Sequence, residues 1–241
     1  MQHVEDWRPT KVLPAGPNAW RVNPSYVGPS SWFFCDRVIG AYVEAMRGHA
    51  RGRLVDAGCG DVPYYGVYRD LVDAVTCIDW PGSSHGRSHI DQFVDLNGRL
   101  PFDDGDFDTV LLTDVLEHIA QPRALLGEVA RVLAPGGKAI VTVPFLYWVH
   151  EAPHDYFRYT EHGLRALCDE AALQVVELSP YGGYPDVLLD LVSKGLVRGP
   201  RMGRAYHGLF RRVAAAKAYR RLAKRTAGTF PLGYVLVANV T

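Results

Sequence analysis

The stretch Leu54-Val55-Asp56-Ala57-Gly58-Cys59-Gly60 governs how the rest of the chain is read. Apolar residues of strand character end at an acid and run directly into two glycines. Glycine stands where a backbone must approach a ligand closely and a side chain would block it. Alone, Gly-x-Gly after a strand is a weak sign. The third glycine of the dinucleotide fingerprint is replaced by Pro63, so that fingerprint is incomplete. A phosphate site at the helix start is also less needed for a ligand without phosphate.

Outward from this stretch, short apolar strands alternate with helical patterns. Strands are predicted over residues 53–57, 74–79, 92–95, 108–113, 138–143, 173–178 and 233–240. Helices are predicted over 31–47, 62–71, 122–133 and 160–171. The first places Trp32, Val38, Tyr42 and Met46 roughly on one face, the third has Pro122 at its first turn, and Thr160 caps the fourth. Gly136 and Gly137 form the turn into the fifth strand. Such βα alternation implies an α/β fold with a mostly parallel sheet in one domain over residues 1–241. Residues 1–30, rich in Pro, Gly and aromatics, form an N-terminal arm or lid, and residues 186–227 a basic helical insertion before the last strand.

Two further acids extend the pattern. Asp79 ends the second strand, where a carboxylate can accept both hydroxyls of a ribose. Asp95 ends the third, placed to accept a hydrogen bond from an adenine amino group. Trp80 either stacks on the adenine or caps the sheet edge. Each acid taken singly also fits a solvated turn. Three at successive strand ends, where open α/β sheets bind ligands, favour a site.

The bulk numbers agree with a soluble globular chain: 241 residues, 48% hydrophobic and 22% charged. Residues 1–7 carry acids with no apolar run after them, unlike a signal peptide, and the apolar stretch 139–149 is short and interrupted by Pro144. Cys35, Cys59, Cys77 and Cys168 lack CxxC spacing, so a reduced, cytoplasmic protein is expected. The net charge of zero conceals a split. Residues 1–190 hold 15 Lys and Arg against all 26 Asp and Glu, whereas residues 191–241 hold 11 Lys and Arg and no acid. The basic segment either faces an anionic lipid-linked or membrane-associated acceptor, packs against the acidic body, or forms a homodimer surface. With no RNA-binding module and no Asn/Asp-Pro-Pro-Tyr motif, nucleic acid is not an expected partner.

Four stretches occur together: Val55-Asp-Ala-Gly-Cys-Gly60, Leu100-Pro-Phe-Asp-Asp-Gly-Asp-Phe-Asp108, Asp114-Val-Leu-Glu-His118 and Arg131-Val-Leu-Ala-Pro-Gly-Gly137. In order and spacing they resemble the successive motifs of class I S-adenosylmethionine-dependent methyltransferases of the type 11 group, over about residues 52–180. The resemblance implies a Rossmann-like seven-stranded sheet of order 3-2-1-4-5-7-6 with the last strand antiparallel, and S-adenosyl-L-methionine as cofactor. It implies that Asp56, Gly58 and Gly60, with Cys59 between them, line the methionine end. Asp79 would hold the ribose, Asp95 and Leu96 the adenine, and Thr113 and Asp114 the rim near the sulfonium. The chain departs from the family in carrying Asp61-Val62-Pro63 where glycines often continue the loop.

After the fifth strand, residues 144–160 crowd histidines, charged groups and aromatics into one loop. Its Pro153-His-Asp-Tyr-Phe-Arg-Tyr-Thr160 resembles a signature of methyltransferases associated with glycan and glycolipid tailoring. The expected reaction is O-methylation of a hydroxyl on a sugar, glycan or glycolipid intermediate. N- or C-methylation of a small secondary metabolite is the alternative, and a cofactor-binding scaffold without chemistry is a further rival. A hydroxyl acceptor must lose its proton, and an imidazole suits that task. His154 beside Asp155, or His150 beside Glu151, is the candidate base; a structural role is open for each, and Tyr26 stands in reserve. Tyr26, His118, Tyr147, Asp155 and Arg158 are the expected acceptor contacts. Asp114, Glu117, His118, His150 and His154 could hold a divalent metal, but their spacing matches no recognisable metal motif, so none is expected.

Overall fold

The computed structural model describes every residue except 17, 18, 84, 85 and 241. Two short strands, β1 (Val12–Gly16) and β2 (Ala19–Val22), form an antiparallel hairpin ahead of helix α1 (Trp32–His49). The sheet is built from β3 (Arg53–Ala57), β4 (Ala74–Asp79), β5 (Gln92–Phe93), β6 (Phe107–Thr113), β7 (Leu133–Pro144), β8 (Gln174–Tyr181) and β9 (Gly233–Asn239). Their spatial order is β5-β4-β3-β6-β7-β9-β8, and β9 runs antiparallel to both neighbours. Counted within the sheet, this is the 3-2-1-4-5-7-6 order that the motifs imply.

Strand alternation divides the core between the two faces. From β6, Val110 and Leu112 join the cluster that holds Leu125, Leu126 and Val129 of helix α3 (Pro122–Val132) and Leu164 and Cys168 of helix α4 (Glu161–Glu170). Leu111, between them, points to the other side, where Val38, Ile39, Tyr42 and Met46 of α1 pack. Thr160 caps α4 as expected, its hydroxyl accepting the Gly163 amide at 3.1 Å.

The structure corrects three local expectations. The helix over 62–71 shrinks to α2 (Tyr65–Tyr68), because Val62 sits at φ 46° in the left-handed region and Pro63 follows it. The third strand is only Gln92–Phe93, at the sheet edge. Gly136 and Gly137 lie within β7, which begins at Leu133; Gly136 has φ 71° and the register with β6 is irregular there. The N-terminal arm adds a hairpin that composition did not suggest, and it is anchored: Trp7, Val12 and Val22 are buried in the α1-side core.

The insertion between β8 and β9 is three helices, α5 (Tyr184–Leu196), α6 (Gly199–Ala215) and α7 (Lys217–Thr226). It docks on α1 by a few polar anchors. Buried Asp186 accepts from Arg37 Nε at 2.7 Å and from the Tyr219 hydroxyl at 2.8 Å, and His207 Nε2 lies 2.7 Å from Asp36 Oδ2. At Gly203 a Cβ would meet Pro29 at 2.7 Å and Trp32 at 2.9 Å, so glycine sets how closely α6 approaches. Lys194 pairs with Asp190 at 3.7 Å, whereas Arg201, Arg204, Arg211, Arg212, Arg220, Arg221 and Arg225 are exposed, with no ion pair to a carboxylate among the described residues. Among the described residues no helix is long and apolar enough to cross a membrane.

Candidate active site

The C-terminal ends of β3, β4, β6 and β7 open into a cavity of about 860 Å³. This is where open α/β sheets place ligands, and the size suits a small molecule with a second one beside it. Gly58 and Gly60 turn the chain after β3 with φ of 75° and 51°. The amides of Gly58 and Cys59 donate to the Ile78 carbonyl at 2.8 and 3.1 Å, which ties this loop to β4. A Cβ on Gly58 would meet Val115 at 2.6 Å, so the loop and the turn after β6 touch through a glycine.

Asp79 is held in advance. Its Oδ2 accepts the Gly60 amide at 3.2 Å and its Oδ1 the Trp80 amide at 2.8 Å. Each carboxylate oxygen keeps a further acceptor site, as a diol requires. Gly58, Cys59, Gly60, Asp79, Trp80, Asp95, Leu96, Thr113 and Asp114 all line the cavity. Asp95 is oriented by Asn97, whose amide donates to Oδ1 at 2.9 Å. Asp114 sits at φ 53°, its amide donating to the Thr142 carbonyl at 3.0 Å and its carboxylate accepting from the Tyr42 hydroxyl. Burial pushes the Asp114 carboxyl up to about 6, against the lowering pull of the Tyr42 hydroxyl and Lys11.

Asp56 is not brought to the wall. It lies behind the loop, buried, with Oδ2 accepting from the Tyr68 hydroxyl at 2.7 Å. Burial raises its carboxyl to about 7. Its place in the strand-end pattern is kept, but its contact is with the protein and not with the cavity.

The opposite wall expected to meet the acceptor is formed by the short helical turn Leu116–His118 and the loop after β7. His118, Tyr147, His150 and His154 line it, joined by Tyr26 from the arm. Asp155 and Arg158, expected to touch the acceptor, do not line it. Arg158 binds both Asp155 oxygens, at 2.6 and 2.8 Å, and donates to the Trp148 carbonyl at 2.9 Å. Asp155 Oδ2 also accepts the His150 amide at 2.8 Å. The pair braces the loop, and Arg158 holds the Asp155 carboxyl well below the usual carboxylate range.

His154 stands exposed at the mouth, its Nδ1 3.0 Å from the Tyr156 hydroxyl and its ring edge-on to Trp80 at 5.2 Å. His150 is deeper, and burial lowers its pKa, with His118 adding to the effect. Glu117 is fully buried, and neither of its oxygens has a hydrogen-bond partner among the described residues. Desolvation raises its carboxyl well above the usual range, with Asp114 contributing. Lys11, Tyr64, Asn97 and Tyr156 also line the cavity. Sequence reading did not find these; Lys11 arrives from the N-terminal arm, which only tertiary packing brings near.

Residues 55–141 match the family model described as a methyltransferase domain. The chain is 37% identical over 135 residues to a demethylmenaquinone methyltransferase of Renibacterium salmoninarum, covering 52% of this chain and 54% of that protein. It is 31% identical over 111 residues to a ubiquinone biosynthesis O-methyltransferase of Xanthomonas oryzae pv. oryzae, covering 42% and 46%. The chain thus spans about half the length of these curated relatives. Among solved structures, an S-adenosylmethionine-dependent methyltransferase from Archaeoglobus fulgidus superposes with a TM-score of 0.57 at 12% identity, over 87% of this chain and 96% of that one. A geranyl diphosphate C-methyltransferase from Streptomyces coelicolor A3(2), solved with Mg2+, geranyl diphosphate and S-adenosyl-L-homocysteine, gives 0.56 at 16% identity over 97% and 91%. At these identities the superpositions speak to the fold.

Proposed function

We propose, for a chain that carries a class I S-adenosylmethionine-dependent methyltransferase domain, transfer of the cofactor's methyl group to a hydroxyl of a sugar, glycan or glycolipid intermediate. Carrying this reading is that His154 and the loop after β7 line the same cavity as the strand-end acids that suit the adenosine part. The O–CH3 bond forms as the S–CH3 bond breaks, the electron pair returns to sulfur, and the hydroxyl proton must leave. His154 is assigned to receive it. Nδ1 pairs with the Tyr156 hydroxyl at 3.0 Å, and in the tautomer where it donates there, Nε2 keeps its lone pair. Exposed aromatic faces of Tyr26, Trp80 and Tyr156 at the mouth suit the flat apolar faces of a sugar ring. The glycan-associated signature over 153–160 and the Xanthomonas relative's name as an O-methyltransferase add support.

N- or C-methylation of a small metabolite is the second reading, favoured by the Streptomyces neighbour's name. Incubation with S-adenosylmethionine and panels of sugar hydroxyls, amines and prenyl diphosphates decides between them, read as S-adenosylhomocysteine released. Turnover confined to the amines or diphosphates rejects the hydroxyl reading.

The exposed cations of α6 and α7 suit an anionic acceptor, such as a phosphate-linked sugar or one held at an anionic membrane. The KM for such an acceptor should rise several-fold from low to physiological salt, since exposed charges are screened over about 8–10 Å there. A flat KM, with Arg220→Glu and Arg221→Glu harmless to turnover, would assign the segment to packing or self-association instead.

A further inference from the structure

We propose that Glu117, His118 and His150 bind one divalent transition-metal cation, of the zinc, cobalt or manganese type, on the acceptor side of the cavity. One ligand atom from each of the three lies within 4.8 Å of the others. His118 Nε2 is 3.8 Å and His150 Nε2 3.9 Å from the same atom, Glu117 Oε1. Those separations are too long for hydrogen bonds. Ligand atoms about 2.1 Å from a shared tetrahedral cation would stand roughly 3.4 Å apart, so a small inward movement closes the set.

Two further observations point to a ligand. First, Glu117 is a fully buried carboxylate whose two oxygens have no hydrogen-bond partner among the described residues. Such a group is costly to bury unless something compensates it, and a cation does so directly. Second, the His118 imidazole is held from behind in the way that metal ligands are. His118 Nδ1 lies 2.8 Å from the His154 carbonyl, which can only accept, so the proton is on Nδ1 and the lone pair of Nε2 faces Glu117. His150 Nδ1 lies 3.3 Å from Asp155 Oδ2, and Arg158, itself 3.5 Å from that nitrogen, fixes the carboxylate. His150 Nε2 itself stands at the same point, 3.9 Å from Glu117 Oε1.

The donor set of two imidazoles and one carboxylate suits borderline transition metals better than Mg2+, which prefers oxygen and water. All three residues line the cavity, so the open coordination position faces the acceptor. An acceptor hydroxyl placed there would release its proton more readily, and His154, which is not a ligand in this scheme, would take it up. That role rests on the methyl-transfer reading above. The binding itself does not. Sequence reading placed all three among five possible ligands but expected no metal, because Glu117 and His118 are adjacent and the third is 32 residues away on another loop.

The test is equilibrium dialysis of the full chain against Zn2+ and, separately, Co2+, with metal measured per chain. About one cavity-bound equivalent should be retained. The Co2+ form should show visible ligand-field absorption that Zn2+ bleaches. Glu117→Gln and His150→Ala should each abolish that absorption, and Asp155→Asn should weaken binding by about 10–100-fold. Retained S-adenosylhomocysteine affinity in each variant reports an intact fold. The exposed group His3, Glu5 and Asp6 provides the control: His3→Ala should leave the Co2+ spectrum unchanged. The proposal is overturned if wild-type protein saturates with no Co2+ band, a result independent of any variant's folding. It is equally overturned if the band survives Glu117→Gln or vanishes with His3→Ala. Metal binding without any cofactor binding would reject the methyl-transfer reading and leave the site standing; cofactor binding without metal does the reverse.

Discussion

Replacing His154 with alanine should lower kcat on a hydroxyl acceptor by about 10²-fold or more and leave cofactor affinity nearly unchanged. The ring stands at the mouth of the cavity and its hydrogen bond is to Tyr156. Its ring meets Trp80 edge-on at 5.2 Å. Its backbone carbonyl, which holds His118, is untouched by the change. Removing the proton acceptor therefore costs the step in which the O–H bond breaks while the groove for the adenosine stays as it was. An amine acceptor that enters unprotonated would need little more than alignment, so its turnover should fall far less. Stopped-flow or discontinuous measurement of S-adenosylhomocysteine release over pH distinguishes these cases. Normal turnover by the variant on a hydroxyl would place the base elsewhere, with Tyr26 the next group to replace.

A comparable effect, on stability and cofactor binding together, is expected from Gly58→Ala. The backbone there has φ 75°, which costs an L side chain about 1–2 kcal/mol. The new methyl would also stand 2.6 Å from Val115. Forcing a contact like that in packed surroundings costs roughly 1–3 kcal/mol more. Thermal unfolding should therefore drop by roughly 5–15 °C for a chain of this size. Cofactor affinity should fall as well, because the displaced loop is the cavity wall. Adding Val115→Ala should recover the contact part and not the backbone part, appearing as a favourable coupling of about 0.5–3 kcal/mol in a double-mutant cycle. An unchanged melting temperature in Gly58→Ala would show that the turn does not have this conformation.

Much of this molecule was legible because strands and their ends obey local rules. Asp79 ends β4, Asp95 lies two residues past β5, and Gly58 and Gly60 have positive φ. The sheet order came from the motif resemblance, and the topology agrees with it. What failed was direction. Asp56 sits in the strand-end series, yet its carboxylate turns to Tyr68, a partner whose position depends on the turn around Val62 and Pro63. Asp155 and Arg158 belong to a loop rich in functional residue types, and no sequence rule says which members of a loop face inward. Both proved to fasten His150 in place. Glu117 was read only as one possible ligand among five. Its burial without partners is a property of packing between the turn after β6 and the loop after β7, two segments that no local period relates.

Calorimetry with S-adenosyl-L-homocysteine tests the central claim most directly, because it needs no acceptor. Wild-type protein should bind it with a Kd in the low micromolar range, about −8 kcal/mol. Asp79→Ala should weaken that binding by about tenfold or more, since it removes a charged acceptor of hydrogen bonds and frees the Gly60 and Trp80 amides that it orders. Absence of heat from the wild-type protein, or tight binding of NAD instead, would contradict the account.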